Sequence, residues 1–121
     1  MMNCRRGDLV PVMFPNSNLR TSKRRPAVVV QADLLGAELP QMIVAMITSD
    51  MDRAGHRSRV ILPAASENAK RSGLLMDSVV MTDNLATVHF SEIDRVIGRL
   101  SETTEVDDAL RATLNPRPAA R

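Results

Sequence analysis

The sequence has very little of the residues on which several classes of protein depend. Its 121 residues include one cysteine, Cys4, two histidines and two aromatic side chains, with no Trp or Tyr. A single cysteine cannot form an internal disulfide, which is typical of the reducing cytoplasm. So few cysteines and histidines also argue against a structural zinc site. The near absence of aromatic rings argues against nucleic-acid modules that stack bases on such rings.

Long apolar segments are missing as well. No run approaches the ~18 apolar residues of a transmembrane helix. The first eight residues mix acidic and basic side chains where a signal peptide would carry an apolar stretch. Apolar residues nevertheless make up 44% of the chain and charged residues 25%, which is the balance of a folded domain. We therefore predict a single cytoplasmic domain with no membrane partner.

The charge is small overall but unevenly distributed. The net charge is +2, yet residues 1–60 hold nine Arg and Lys against five Asp and Glu, whereas residues 61–121 hold seven against nine. The basic residues of the first half cluster at positions 20–25 and 53–59. This bias indicates an anionic partner for the first half, although a solvated surface can carry the same cluster.

The first three quarters of the chain have the pattern of short strands. Runs rich in β-branched and apolar residues are separated by Pro, Gly, Asn and Asp. The predicted strands are 9–14, 26–30, 42–47, 58–62, 78–82 and 88–90, and a basic loop is expected to run on to residue 25. Five or six short strands at close spacing predict a small β-barrel over residues 5–90.

The last quarter has a helical period. Ser91 and Asp94 form a variant of the capping box, and apolar residues then recur at 93, 96, 97 and 100, the spacing of one helix face. A second, weaker pattern covers 105–114 and ends at Asn115 and Pro116. We therefore predict C-terminal helices within 91–115 and a frayed tail over 116–121.

Several short motifs occur in an order that resembles one known family. They are 6–9 (RGDL), 25–30 (RPAVVV), 45–49 (AMITS), 77–80 (DSVV) and 83–87 (DNLAT). Together they resemble the MazF/PemK family, the toxin endoribonucleases of type II toxin–antitoxin pairs, over roughly residues 5–114. The resemblance implies a mainly β, SH3-like barrel of the MazF/CcdB type with one or two C-terminal helices. It also implies a homodimer, an antitoxin protein as partner, and sequence-specific cleavage of single-stranded RNA, without metal or cofactor, to a cyclic phosphate and a 5′-hydroxyl.

The resemblance also implies the site. Metal-free RNA cleavage uses the neighbouring 2′-hydroxyl as nucleophile, so the protein must offset charge that grows on the phosphoryl oxygens. Arg25 resembles the family's arginine and Thr48 its hydroxyl partner, and both are candidate catalytic residues. The candidate RNA-binding residues are Arg20, Lys23, Arg24, Ser49, Arg53, His56, Asp83 and Asn84. The same residues also have plainer interpretations: Arg25 as part of a solvated basic run, Thr48 as an ordinary strand end, and Asp83 as a turn cap.

Two positions depart from the family pattern and keep other functions open. Ala86 stands where many members carry arginine, and Met81 stands where some members carry another. One alternative is a catalytically weak or inactive homologue that binds RNA or antitoxin. Another is a DNA gyrase poison of the related CcdB type.

Overall fold

The computed structural model describes residues 4–16, 18–36 and 38–117, which form one antiparallel sheet and two α-helices. The strands are β1 (Asp8–Pro15), β2 (Ser22–Val29), β3 (Gln41–Thr48), β4 (Arg59–Leu62), β5 (Ser78–His89) and β6 (Gly98–Arg99). The helices are α1 (Asp33–Gly36) and α2 (Thr104–Leu114), and 3-10 turns cover Met51–Arg53 and Phe90–Glu92. The sheet order is β4-β5-β3-β2-β1-β6, and the sheet curls into a half-barrel. The predicted mainly β fold is confirmed.

The sheet has a core on each face because side chains alternate along its strands. Leu9 of β1 belongs to a cluster with Ile47, Val60 and Val80, whereas its neighbour Val10 belongs to a second cluster. Helix α2 covers the first cluster through Val106 and Ala109, both buried. The second cluster includes Phe14, Met42, Val44 and Val88. In the described part of the chain, no helix is both long and apolar enough to cross a bilayer.

The predicted helix over 91–100 is wrong. The chain makes a single 3-10 turn at Phe90–Glu92 and then runs extended into β6, where Gly98 pairs with Leu9 of β1. The helical spacing arose because the apolar residues serve two cores, Ile93 the second cluster and Leu100 the first. A Cβ on Gly98 would overlap the carbonyl groups of residues 71 and 72, so this close packing requires glycine.

The second C-terminal helix is confirmed. The pattern at 105–114 corresponds to α2, Thr104–Leu114, which carries Glu105 and Asp107 in its first turn, where the helix dipole favours acids. It ends at Asn115, whose backbone is left-handed (φ 42°) and whose N–H bonds to the Arg111 carbonyl at 2.7 Å. The predicted tail over 116–121 lies mostly outside the described residues.

β2 and β5 differ most from the predicted strands. β2 begins at Ser22, because β1 continues to pair with it as far as Pro15 opposite Ser22, so the basic residues 23–25 belong to the strand and not to the loop. The predicted strands 78–82 and 88–90 are joined in one strand, β5, which ends at His89. Polar residues such as Asp83 and Thr87 did not end it, since they occupy its exposed face.

Candidate active-site cleft

The candidate site lies where two neighbouring strands separate. β2 pairs with β3 only through Ala27–Val29, so its first half pairs with β1 alone. The end of β3 instead pairs with β5, where Thr48 is opposite Val79. The opening between the two strands therefore has Arg25 on one side and Thr48 on the other.

Both candidate catalytic residues line one cleft, which has a volume of about 600 Å³. Its lining comprises Pro15, Asn16, Arg25, Met46, Thr48, Ser49, Asp50, Arg53, Met81 and Asn84. Half of the ten residues predicted from the sequence are in this set: Arg25, Thr48, Ser49, Arg53 and Asn84. They come from β2, β3, the turn after β3, and β5, so only the folded sheet brings them together.

Arg25 is half-buried and held loosely by its surroundings. Its Nη2 donates to the Asn16 side-chain oxygen at 3.4 Å, a long hydrogen bond. Asn16 is held in turn by Thr21, through a side-chain bond of 2.8 Å and a backbone bond of 2.8 Å. Most of the five N–H donors of the Arg25 guanidinium are therefore available to a ligand. Asn16 was not predicted, because a polar residue after a strand looks like an ordinary turn.

Thr48 starts a short chain of contacts that shapes the other side of the cleft. It is 8% exposed, and its Oγ1 accepts the Asp50 backbone N–H at 3.1 Å. Asp50 caps the 3-10 turn by accepting the Asp52 N–H at 3.1 Å, and its other oxygen lies 3.6 Å from Nε of Arg53. Accepting this bond does not use the hydroxyl hydrogen of Thr48, which can therefore donate to a ligand in the cleft. Asp50 is a second lining residue that the sequence did not indicate.

The charge of the cleft suits an anion. The charged groups in its lining are the guanidinium groups of Arg25 and Arg53 and the carboxylate of Asp50, and hydroxyl and amide groups complete the polar lining. No histidine or glutamate is among the lining residues. Arginine stays charged and grips phosphate with a planar fork of donors. The arrangement can therefore bind a phosphodiester and stabilise charge that develops on it.

A second, more apolar groove of about 320 Å³ adjoins this cleft and shares Arg25, Thr48 and Ser49 with it. Lys23 and Arg24 also line it. Its apolar lining includes Leu74, Leu75, Met76 and Ile97. Two further predicted RNA-binding residues thus extend the basic surface outward from the cleft. Arg20 lies in the exposed turn that precedes β2.

His56 and Asp83 are brought together elsewhere. They line a hollow of about 350 Å³ with Arg57, Ser58 and two residues of α2. His56 Nδ1 lies 2.7 Å from the Ser58 hydroxyl and accepts the Ser58 backbone N–H at 3.2 Å. Gly55, with φ +91°, turns the chain between Arg53 and His56. Closeness in sequence to Arg53 therefore did not put His56 into the same cleft.

Asp83 forms an ion pair with Arg59. Nη2 of Arg59 lies 2.9 Å from Oδ2 of Asp83, and Nε donates to Oδ1 at 3.4 Å. These hydrogen bonds lower the pKa of the Asp83 carboxyl and raise the pKa of the Arg59 guanidinium. Asp83 is therefore a charged carboxylate that already has a partner, and Arg59 is a residue that the sequence interpretation did not single out.

The two departures from the family pattern have different positions. Met81 is 5% exposed and lines the cleft beside Met46, its partner across the β5–β3 ladder. Ala86 instead packs against the second core cluster, opposite Val44. An arginine missing at position 81 thus changes the cleft itself, whereas one missing at position 86 does not change its lining.

The sequence pattern of the PemK-like, MazF-like toxins of type II toxin–antitoxin systems matches residues 5–114. The chain belongs to this toxin family. It is 33% identical over 104 residues to endoribonuclease MazF6 of Mycobacterium tuberculosis, an alignment that covers 84% of this chain and 87% of the relative. The resemblance to the MazF/PemK family is thereby confirmed.

Solved structures of the toxin family share the fold. An endoribonuclease from a mycobacterial species, solved in complex with its cognate antitoxin, superimposes with a TM-score of 0.71 at 16% identity, covering 95% of this chain and 99% of that one. MazF of Deinococcus radiodurans gives a TM-score of 0.70 at 24% identity, covering 96% and 100%. At these identities the likeness establishes the curled sheet with its C-terminal helix.

Proposed function

We propose that this chain is the toxin of a type II toxin–antitoxin system and cleaves single-stranded RNA as a sequence-specific endoribonuclease in the cytoplasm. Family membership and an endoribonuclease relative at 33% identity support the activity. The observation that carries the assignment to a site is that Arg25 and Thr48 line one cleft with a second cation, Arg53. No metal or cofactor is part of the proposal.

The cleft suggests how cleavage proceeds. The ribose 2′-oxygen attacks the adjacent phosphorus, the new 2′-O–P bond closes a cyclic phosphate, and the P–O5′ bond breaks. The 2′-hydroxyl proton passes to water, and water protonates the departing 5′-oxygen. Arg25 stabilises the negative charge on the phosphoryl oxygens, and the hydroxyl of Thr48 donates a hydrogen bond to one of them. Arginine is a poor proton donor because its pKa exceeds ~12, so its contribution is electrostatic.

The RNA is expected to follow the basic surface that extends from the cleft. Arg53 would hold a phosphate beside the scissile one, and Lys23 and Arg24 would hold phosphates along the adjoining groove. Ser49 and Asn84 offer hydroxyl and amide groups to base edges. Because aromatic platforms are nearly absent, hydrogen bonds to base edges would carry the sequence preference.

Control by an antitoxin and assembly into a dimer rest on two different observations. A structural relative was solved with its cognate antitoxin, and we propose that this chain too binds an antitoxin, through an acidic segment that covers the cleft and excludes RNA. Large apolar side chains such as Ile61, Leu75 and Met76 are exposed by 47%, 94% and 62%. Such exposure favours a symmetric homodimer that buries part of this surface.

The deciding experiment is cleavage of a mixed RNA by the purified protein in excess EDTA, with the cut sites mapped and the new ends identified. We expect cuts at a short recurring sequence, with 5′-hydroxyl ends that a kinase can label directly. Cleavage that requires added Mg²⁺ would contradict the mechanism. Binding of RNA without any cut would favour the inactive homologue, and inhibition of gyrase supercoiling without RNA cleavage would favour the gyrase poison.

A further inference from the structure

Arg59 makes a third contact besides its ion pair with Asp83. Its Nη1 donates to the backbone carbonyl of Arg53 at 2.9 Å. The same guanidinium therefore joins β4, β5 and the turn after β3, three segments that are separate in the sequence. Its side chain is 23% exposed and that of Asp83 is 33% exposed, so the pair is partly shielded from solvent.

The carbonyl that Arg59 holds belongs to the residue that puts the second cation into the cleft. The turn that carries Arg53 is short, and its bonds between backbone groups are the Arg53 N–H to the Asp50 carbonyl and the Ala54 N–H to the Met51 carbonyl, both 3.1 Å. The Arg53 side chain is 55% exposed and lies 3.6 Å from Asp50. A cation at the end of so exposed a turn needs an anchor if it is to meet RNA in a fixed place.

We propose that Arg59 is a positioning residue that fixes the Arg53 turn at the edge of the cleft, with Asp83 holding the Arg59 fork in the required orientation. The inference rests on the proposed function, since it assigns Arg53 to RNA. It also gives Asp83 a different task from the RNA contact predicted from the sequence. Asp83 neutralises and orients Arg59, and Arg59 acts through Arg53.

If the Arg59–Asp83 ion pair had only a structural role, its loss would not change the contribution of Arg53 to RNA binding, and this difference can be measured. Exposed and half-exposed ion pairs contribute little to stability, so removal of Arg59 should leave the fold intact. If Arg59 works through Arg53, its loss should cost nothing once Arg53 is gone. A double-mutant cycle with Arg53→Ala and Arg59→Ala therefore separates a positioning role from an independent one.

We expect Arg53→Ala to weaken binding of single-stranded RNA about tenfold and to reduce the salt slope of log K by ~0.7, the loss of one phosphate contact. Arg59→Ala should reproduce most of this change, mainly in KM and not in kcat, and the double variant should be no weaker than Arg53→Ala alone. Arg59→Lys should rescue little, because one ammonium cannot reach Asp83 and the Arg53 carbonyl with the same geometry. Arg111→Ala is the matched control, since Arg111 pairs with Asp108 at 3.1 Å on the exposed side of α2.

Amide hydrogen exchange tests the anchor independently of RNA cleavage. Arg59→Ala should speed exchange at the Arg53 and Ala54 amides relative to wild type and to Arg111→Ala. Unchanged exchange there would overturn the anchor, even if the protein cleaves RNA as proposed. If the losses of RNA affinity of the two single variants add up in the double variant, Arg59 does not act through Arg53. A wild-type protein that cuts no RNA would count against the proposed function, and the exchange result would still decide whether Arg59 holds the turn.

Discussion

Replacing Arg25 by alanine is the sharpest perturbation of the proposed site. The side chain is half-buried, lines the cleft with Thr48, and makes one hydrogen bond of 3.4 Å to Asn16. So long a bond contributes little to stability, so the variant should fold and melt within a few degrees of wild type. Its loss from the cleft, in contrast, removes a charge held in place before the reaction begins.

The expected cost follows from that role. Removal of one preorganised stabiliser of developing charge typically costs ~2.7–4 kcal/mol, which corresponds to a rate reduction of about 10²–10³-fold. The loss should appear in the rate at which fully bound RNA is cleaved, because the charge that Arg25 stabilises is greatest in the transition state. Arg25→Lys should recover little, since lysine keeps the charge but not the fork of donors.

The assay is single-turnover cleavage of a short RNA that contains the mapped site, in excess EDTA and at saturating protein. Arg99→Ala is the control, because Arg99 is also a strand arginine but lies on β6 and is not among the residues that line the cleft. It should cleave at the wild-type rate. A rate for Arg25→Ala within tenfold of wild type would refute the assignment of Arg25 to the reacting phosphate.

Three further outcomes are expected. Replacing Lys23 and Arg53 together by alanine should reduce the salt slope of log K for single-stranded RNA by about 1.4, which is ~0.7 for each phosphate contact, and an unchanged slope in a salt titration would place the RNA elsewhere. Gly98→Ala should destabilise the fold by about 3 kcal/mol in urea unfolding, because the new methyl group would overlap backbone atoms; a loss below about 1 kcal/mol would mean that the neighbouring loop moves away easily. Because Arg59 lowers the pKa of Asp83 in the folded state, this carboxylate contributes stability above its unfolded pKa of about 3.9 that is lost as the pH falls through the folded value. Asp83→Asn should therefore flatten the loss of stability below about pH 4, and identical acid unfolding curves would contradict the pairing.

The strands were predictable because β-branched and apolar runs indicate a strand without knowledge of the rest of the fold. β-branched runs such as 26–30 and the apolar run 42–47 lie in β2 and β3. The segment 91–100 was wrongly predicted to be a helix, because apolar residues that pack into two different core clusters can show the spacing of one helix face. Gly98 within that pattern was the signal against a helix, and its contacts with residues 71 and 72 explain why it is glycine.

The candidate site could be predicted only where a motif marked it. Arg25 and Thr48 were found through motif order and line one cleft. Asn16, Asp50 and Arg59 could not be found in this way, since each acts through a contact made by folding: a hydrogen bond across a hairpin, a turn cap, and a link among three segments. The sequence carries the residue types for these contacts, but only the register of the sheet decides which of them meet.

The apolar part of the cleft lining affects how much each of its two arginines should contribute to binding of a phosphate. Met81 and Met46, which pair across β5 and β3, give part of the lining an apolar surface where some members of the family carry an arginine. An apolar surface supplies no donor to a phosphate, so in the proposed complex Arg25, Arg53 and the hydroxyl of Thr48 would make the contacts with it. Contacts with a charged group strengthen as the surroundings become less polar. With methionine at position 81, we therefore expect replacement of Arg25 or Arg53 to cost more than it would if an arginine stood there.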